Sequence, residues 1–187
     1  MQSLIVNLGK YMELSPSLQK AISERLVFQK VKRRKALAES GKVCENLFYV
    51  QSGLIRGYYY HKRKDITNWF SVENEFATSM YSFVSGKPNM ENIETLEDSE
   101  LYVMKRKDQL YLYENFPEMN LLGRLLMEKY YLELGERAVS LQFQTAKERL
   151  GAFQQKRPDL FDRVKLGQIA SYLGITIETL SRIRSAS

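Results

Sequence analysis

The 187 residues include one cysteine and one histidine. That scarcity excludes much chemistry. A lone thiol, Cys44, cannot form an intramolecular disulfide, which suits a reducing cytoplasm. An iron–sulfur cluster needs about four thiolates, and a zinc site wants three or four His, Cys or carboxylate ligands at ordered spacing. His61 sits among charged residues in "YYYHKRKD" and reads as a solvated turn residue, and Cys44 reads as packing. No GxSxG, P-loop or dinucleotide-binding pattern appears. The expectation is a protein with no metal, no cofactor and no catalytic residues.

Long apolar runs are also missing. None approaches the roughly 20 residues that span a bilayer, so no membrane partner is expected. The opening "MQSLIVNLGKYMELSPSLQK" lacks a basic stretch followed by an apolar block, and reads as an amphipathic helix rather than a signal peptide. The expected location is the cytoplasm. The apolar share of 44% is ordinary for a globular chain, and the net charge of +6 makes nucleic acid a natural partner.

Three regimes of pattern follow one another. Residues 1 to about 30 are helical in pattern: Leu18, Ile22 and Leu26 fall at helix spacing, and Ser15 before Pro16 forms an N-cap and N1 pair. From about 30 to 106 the runs are short and β-rich. "NLFYVQSGLIRGYYY" holds two strands separated by Gln51-Ser52-Gly53, a tight-turn signal. "DITNWFSVENEF" and "MENIETLEDSELYVMK" continue the pattern, which suggests an antiparallel barrel or roll. After Pro117 more than 30 residues run without proline to Pro158. There Leu121, Leu125, Leu132 and Val139 recur at spacings of 4 and 7. Such an apolar stripe needs a partner, and a second copy of the chain supplies one. Burial against the chain's own β-domain is the alternative. The expected division is 1–116 for a sensor-like roll with its N-terminal helix, 117–143 for a dimerisation helix, and 144–187 for a terminal helical domain.

The terminal domain carries the sharpest pattern. From Gln144 onward there are eight Lys or Arg against four Asp or Glu, so most of the net charge lies there. "LGQIASYLGITIETLSRIRSAS" has the parts of a helix-turn-helix. Leu166, Ile169 and Leu173 are apolar at helical spacing, Ala170 is small at the crossing, and Gly174 takes the turn. Ile175, Leu180 and Ile183 supply the buried side of the second helix, and Thr176 caps it. Ile177, Glu178, Ser181, Arg182 and Ser185 then face outward. Arg bonds guanine through O6 and N7, and Glu accepts from the amino group of cytosine. An ordinary helical hairpin with a surface ion pair between Glu178 and Arg182 is the competing reading.

The order roll, long helix, helix-turn-helix resembles the cyclic-AMP receptor and Fnr (Crp/Fnr) family of bacterial transcription regulators over nearly the whole chain. "TIETLSRI" is similar to that family's recognition helix, "LFYVQSGLIRGYYY" to its roll, and "TAKERLGAFQ" to the helix after its dimer helix. The resemblance implies an α+β fold: an antiparallel β-roll like a cyclic-nucleotide-binding domain, a long dimerisation helix, and a helix-turn-helix. With only "SAS" after Arg184, most of the β-hairpin wing of many relatives is expected to be lacking. It implies base contacts from Glu178 and Arg182, with Ile177 at a position where relatives often place an arginine. Backbone contacts are expected from Thr176, Ser181, Arg184 and Lys165, with Lys147 and Arg149 as further candidates. The implied partners are double-stranded DNA, a second copy, RNA polymerase and an unknown small-molecule effector. The basic runs "KVKRRK" and "HKRKD" read as solvated turns, with flanking phosphate as the alternative.

The resemblance also carries a departure. Relatives that bind cyclic nucleotide use a Gly-Glu pair, a short helix and an Arg-Ser or Arg-Thr pair. In "EFATSMYSFVSGKPNMENIE" those positions hold Thr78-Ser79 and Asn89-Met90. No arginine lies between Glu73 and Tyr102, and Lys87 is the one cation there. A phosphate without a charged partner in a partly buried pocket is costly. Cyclic AMP is therefore not the expected effector. Trp69, Phe70, Phe76, Ser79, Tyr81, Phe83 and Asn89 are the candidate pocket for another ligand, with plain roll core as the alternative. A module that binds a nucleotide or other small ligand without touching DNA remains the rival function.

Overall fold

The computed structural model describes residues 1–62 and 64–185. Arg63 of the "HKRKD" run lies outside them. So do Ala186 and Ser187, two of the three residues on which the expectation of a missing wing rests.

Two short helices open the chain, α1 (Gln2–Leu8) and α2 (Pro16–Arg25). The Ser15 hydroxyl accepts from the Leu18 backbone N–H at 3.2 Å, so the cap and the N1 proline sit as their residue types require. Among the described residues eight strands follow: β1 (Leu26–Val31), β2 (Ala36–Ala38), β3 (Asn46–Ser52), β4 (Ile55–His61), β5 (Lys64–Ser71), β6 (Phe76–Ala77), β7 (Asn92–Thr95) and β8 (Ser99–Lys105). One turn and a half of helix, α3 (Met80–Ser85), lies between β6 and β7. After β8 come α4 (Arg106–Asn115), α5 (Pro117–Phe143), α6 (Ala146–Lys156), α7 (Leu160–Arg163), α8 (Leu166–Tyr172) and α9 (Ile177–Ser185).

The strands form two antiparallel sheets of four, ordered β1-β8-β3-β6 and β2-β7-β4-β5. In the first sheet the central strand β3 is covered on both faces, whereas the edge strand β1 is largely exposed. Phe48, Tyr49 and Val50 are consecutive in β3 and all buried. Side chains alternate along a strand, so Tyr49 faces one way and its neighbours the other. Tyr49 and Met104 join the cluster of Leu4, Leu8, Leu18 and Ile22 from the N-terminal helices and Leu14 from the segment between them with Leu112, Met119 and Leu122 from α4 and α5. The Ser15 hydroxyl also donates to the Glu118 carboxylate, tying the start of α2 to the start of α5.

Two local expectations need correction. The N-terminal helical pattern ends at Arg25 rather than near 30, because Leu26 to Val31 pair antiparallel with Met104 to Ser99. The pairing outweighs the helical spacing of Leu26. Gln51-Ser52-Gly53 is not a hairpin turn, since β3 and β4 belong to different sheets; it is a corner where the chain crosses between them. The run after Pro117 forms α5. It breaks after Phe143, where Thr145 and Glu148 form a capping box that starts α6, with Thr145 N–H donating to the Glu148 carboxylate at 2.7 Å.

Met1–Tyr58 with Phe70–Glu128 make one compact unit, and Tyr59–Trp69 with Lys129 onward make a second. The β4–β5 hairpin tip thus belongs with the C-terminal helices. Among the described residues, no helix is long and apolar enough to cross a membrane.

The corner depends on Gly53. Its φ is +101°, and a Cβ there would lie 2.8 Å from the Ser99 Cα. Gly53→Ala is expected to cost about 2 kcal/mol or more of folding free energy, from strain and overlap together. Urea denaturation followed by far-UV circular dichroism measures it.

Candidate nucleic-acid interface

Burial builds the terminal domain around one residue. Leu180 of α9 is fully buried, against Ile169, Ala170 and Leu173 from α8 and its end, with Leu150, Phe153, Leu160 and Val164 completing the buried set. The Phe153 ring lies 5.3 Å from Tyr172 and 5.4 Å from Phe161. The Arg137 guanidinium of α5 stacks 3.9 Å above Tyr172, and its burial lowers its pKa below the ordinary arginine value.

The turn is locked by backbone hydrogen bonds. Gly174 has φ +65°; its N–H donates to the Ser171 carbonyl at 3.1 Å, and Ile175 N–H donates to the Ala170 carbonyl at 3.0 Å. These two bonds are a Schellman close, which needs a left-handed residue at the glycine position. Arg149 of α6 adds a clamp, donating from Nε to the Leu173 carbonyl at 2.8 Å and from Nη1 to the Gln144 carbonyl at 2.5 Å. Arg149, considered above as a phosphate contact, holds the turn instead.

With Leu180 buried, the helix period turns Ile177, Glu178, Ser181, Arg182 and Ser185 outward, and all five are exposed. The Thr176 hydroxyl accepts from Thr179 N–H at 3.2 Å and caps α9. Arg182 Nη2 donates to the Thr179 hydroxyl at 3.3 Å, which aims the guanidinium along the helix toward its N-terminal end. The Glu178 carboxylate is held below its ordinary pKa by hydrogen bonds from its own backbone N–H and from Thr176, with Lys64 and Arg182 adding positive charge nearby. It therefore stays an ionised acceptor throughout the neutral range. Of the expected backbone contacts, Thr176, Ser181 and Lys165 are exposed, the last as N-cap of α8. Arg184 is exposed too, with its guanidinium 5.8 Å from the Phe161 ring. Ile177 leans over α8: a Cβ on Gly167 would stand 3.9 Å from its Cδ1.

The β4–β5 hairpin joins this domain through Thr67, whose buried backbone N–H donates to the Ser171 hydroxyl of α8 at 3.1 Å. No sequence pattern announced that bond.

On α5, Met119, Leu122 and Gly123 are buried. Leu125 is half-buried and Leu121 is exposed, and farther along Tyr131, Leu132 and Val139 are 75%, 65% and 56% exposed. The expected stripe is thus largely open to water.

The seven expected pocket residues do not share one setting. Phe70, Ser79, Phe83 and Asn89 are buried, Tyr81 is exposed, and Trp69 is half-buried in the second unit. The Phe76 ring packs 5.2 Å from Tyr49, within the cluster that the N-terminal helices cover. Several polar groups around α3 are engaged internally, while the buried Asn89 Oδ1 has no hydrogen-bond partner among the described residues. Ser82 Oγ donates to the Lys87 carbonyl at 2.6 Å and accepts from Cys44 N–H, Thr78 Oγ1 donates to the Asn46 carbonyl, and Asn89 Nδ2 donates to the Lys42 carbonyl.

No family model matches the sequence, and no curated protein matches it significantly. Solved structures do match the fold. FixK2 from Bradyrhizobium japonicum superposes with a TM-score of 0.73 at 19% identity, over 86% of this chain and 83% of that one. A protein from Eubacterium rectale assigned to the Crp/Fnr family of transcriptional regulators gives 0.72 at 18%, over 92% and 83%. CLP, a c-di-GMP-responsive global regulator of Xanthomonas campestris, gives 0.73 at 15%, over 92% and 91%. The fold is that of the Crp/Fnr regulators. Within the Crp/Fnr fold, the braces that sequence reasoning missed are Arg137 and Ser171, together with the turn-holding bonds of Arg149. Their signal was weak, because long polar side chains on helices look alike whether they reach carbonyls, rings or water.

Proposed function

We propose that this chain is a cytoplasmic, sequence-specific DNA-binding transcription regulator that works as a homodimer. The observation that carries the reading is the exposed face of α9, where Glu178 and Arg182 stand one turn apart over a fully buried Leu180. A major groove admits such a helix, and its base edges offer Arg a guanine and Glu a cytosine amino group. Ile177 supplies apolar contact to a thymine methyl. Thr176, Ser181, Lys165 and Arg184 are placed to hold phosphates. The open stripe of Leu121, Leu125, Leu132 and Val139 supports pairing with a second copy along α5. Two recognition helices then meet half-sites about 34 Å apart, one helical turn. The regulators whose fold it shares support the same reading.

The roll is proposed to answer to something other than cyclic AMP. Where that ligand's phosphate needs an arginine, this chain has Asn89, buried and bonded to the Lys42 carbonyl. An amide carries no charge to balance a phosphate, and Lys87 lacks a guanidinium's bidentate geometry.

Two outcomes test these readings. Arg182→Ala is expected to lose about 10- to 100-fold of its preference for a selected operator over unrelated DNA, the value of one bidentate base contact. Non-specific binding should survive. Competition gel shifts read the ratio, and equal loss on both DNAs contradicts the role. Millimolar cyclic AMP is expected to leave the melting temperature and the Trp69 fluorescence unchanged; a saturable shift in either contradicts the second reading.

A further inference from the structure

The β4–β5 hairpin tip has no role in the reading so far. Its two strands end at His61 and resume at Lys64, so the turn carries Lys62, which has a left-handed φ of +47°. His61, Lys62 and Lys64 are all exposed. Solvated lysines on a turn ordinarily need no explanation. Two features set these apart. The hairpin's inner part is fixed to the helix-turn-helix, because Thr67 is buried and its N–H bonds to Ser171 at the end of α8. The positive charge of Lys64 also helps to hold the Glu178 carboxylate at the start of α9 below its ordinary pKa, after hydrogen bonds from the Glu178 backbone and Thr176. The tip therefore adds positive charge beside the N-terminal end of the proposed reading helix. It does so without covering it, since Ile177, Glu178, Ser181 and Arg182 all remain exposed.

A helix lying in the major groove has a phosphate backbone on either side of its N-terminal end. Phosphate contacts fix register and add affinity without reading sequence. We infer that the β4–β5 hairpin tip is a second DNA-contacting element, with Lys62 and Lys64 engaging backbone phosphates beside each half-site. The inference rests on the DNA-reading proposal and extends its footprint from the terminal helices to a hairpin contributed by an earlier part of the chain. Because the hairpin is bonded to α8 through Thr67 and Ser171, the hairpin and the reading helix engage the duplex as one piece.

The test uses the full chain and fluorescence anisotropy with two labelled duplexes, one selected from a random pool and one unrelated. Wild type is compared with Lys62→Ala/Lys64→Ala and with Lys62→Arg/Lys64→Arg across a potassium chloride series. The alanine pair should bind both duplexes at least about tenfold more weakly near 0.15 M salt, and its log–log salt slope should flatten by about 3 to 4 for a dimer, at roughly 0.9 for each lost phosphate contact. The arginine pair should keep wild-type affinity and slope. Unchanged melting temperatures in all three proteins would establish that folding is intact; a melting temperature lowered in the alanine pair alone would make the tip a structural element and overturn the inference. Unchanged affinity and slope in the alanine pair would overturn it while leaving the reading helix in place. Tighter binding by the alanine pair would also overturn it, since the tip would then be shielding α9. If wild type binds neither duplex at low salt, the DNA-reading proposal itself fails and takes this inference with it.

Discussion

An apolar helix face in water is the constraint on which the rest turns. The 27 residues of α5 begin against the roll core, where Met119 and Leu122 are buried, and then carry Tyr131, Leu132 and Val139 out into solvent. A large apolar side chain contributes about 1.5–3 kcal/mol when it leaves water completely. A stripe of several cannot be indifferent to a partner. A Cβ on Gly135, one turn beyond Leu132, would meet nothing within 4 Å, so a second backbone can approach closely there. Pairing along this stripe is what would turn one reading helix into two at a defined separation.

The terminal domain shows how so short a segment holds one helix face outward. Each brace acts on the turn or on the face opposite the exposed one. The Schellman close at Gly174, the Arg149 clamp on Leu173 and the Arg137 stack on Tyr172 together fix the end of α8 and the turn that leads into α9. Rotation by one residue would bury Glu178 or Ser181 and expose Leu180, at a cost of several kcal/mol in apolar burial and stranded polar groups. The direction of the exposed face is therefore fixed by what is buried beneath it. Arg137 belongs to α5, so α5 and α8 are coupled through a side-chain contact inside one compact unit. A signal that moves the C-terminal half of α5 has a physical route to α9.

Much of this was legible in the chain. The turn glycine, the period that buries Leu180 and exposes Arg182, the Ser15-Pro16 helix start and the β-rich middle all depend on near neighbours, and local pattern reveals near neighbours. What could not be read depends on distant ones. Leu26 sits in a strand because Met104 pairs with it across the sequence. Gln51-Ser52-Gly53 looks like a hairpin turn, and only the strand order shows that it carries the chain between sheets. Phe76 looked like a pocket aromatic beside Phe70, yet the pleat sends it toward the helices. The capping box at Thr145 and Glu148 was visible three residues apart and still lay hidden in a stretch rich in helix formers. The bond from Thr67 to Ser171 has no signature at all.

Hydroxyl-radical footprinting of the full chain on a duplex selected from a random pool tests the dimeric reader most directly. Two protected segments are predicted, related by a near-palindrome, with centres about 10 base pairs apart. A single protected segment bound by one chain, or two at a spacing that changes freely with the duplex, would contradict a reader fixed by pairing along α5.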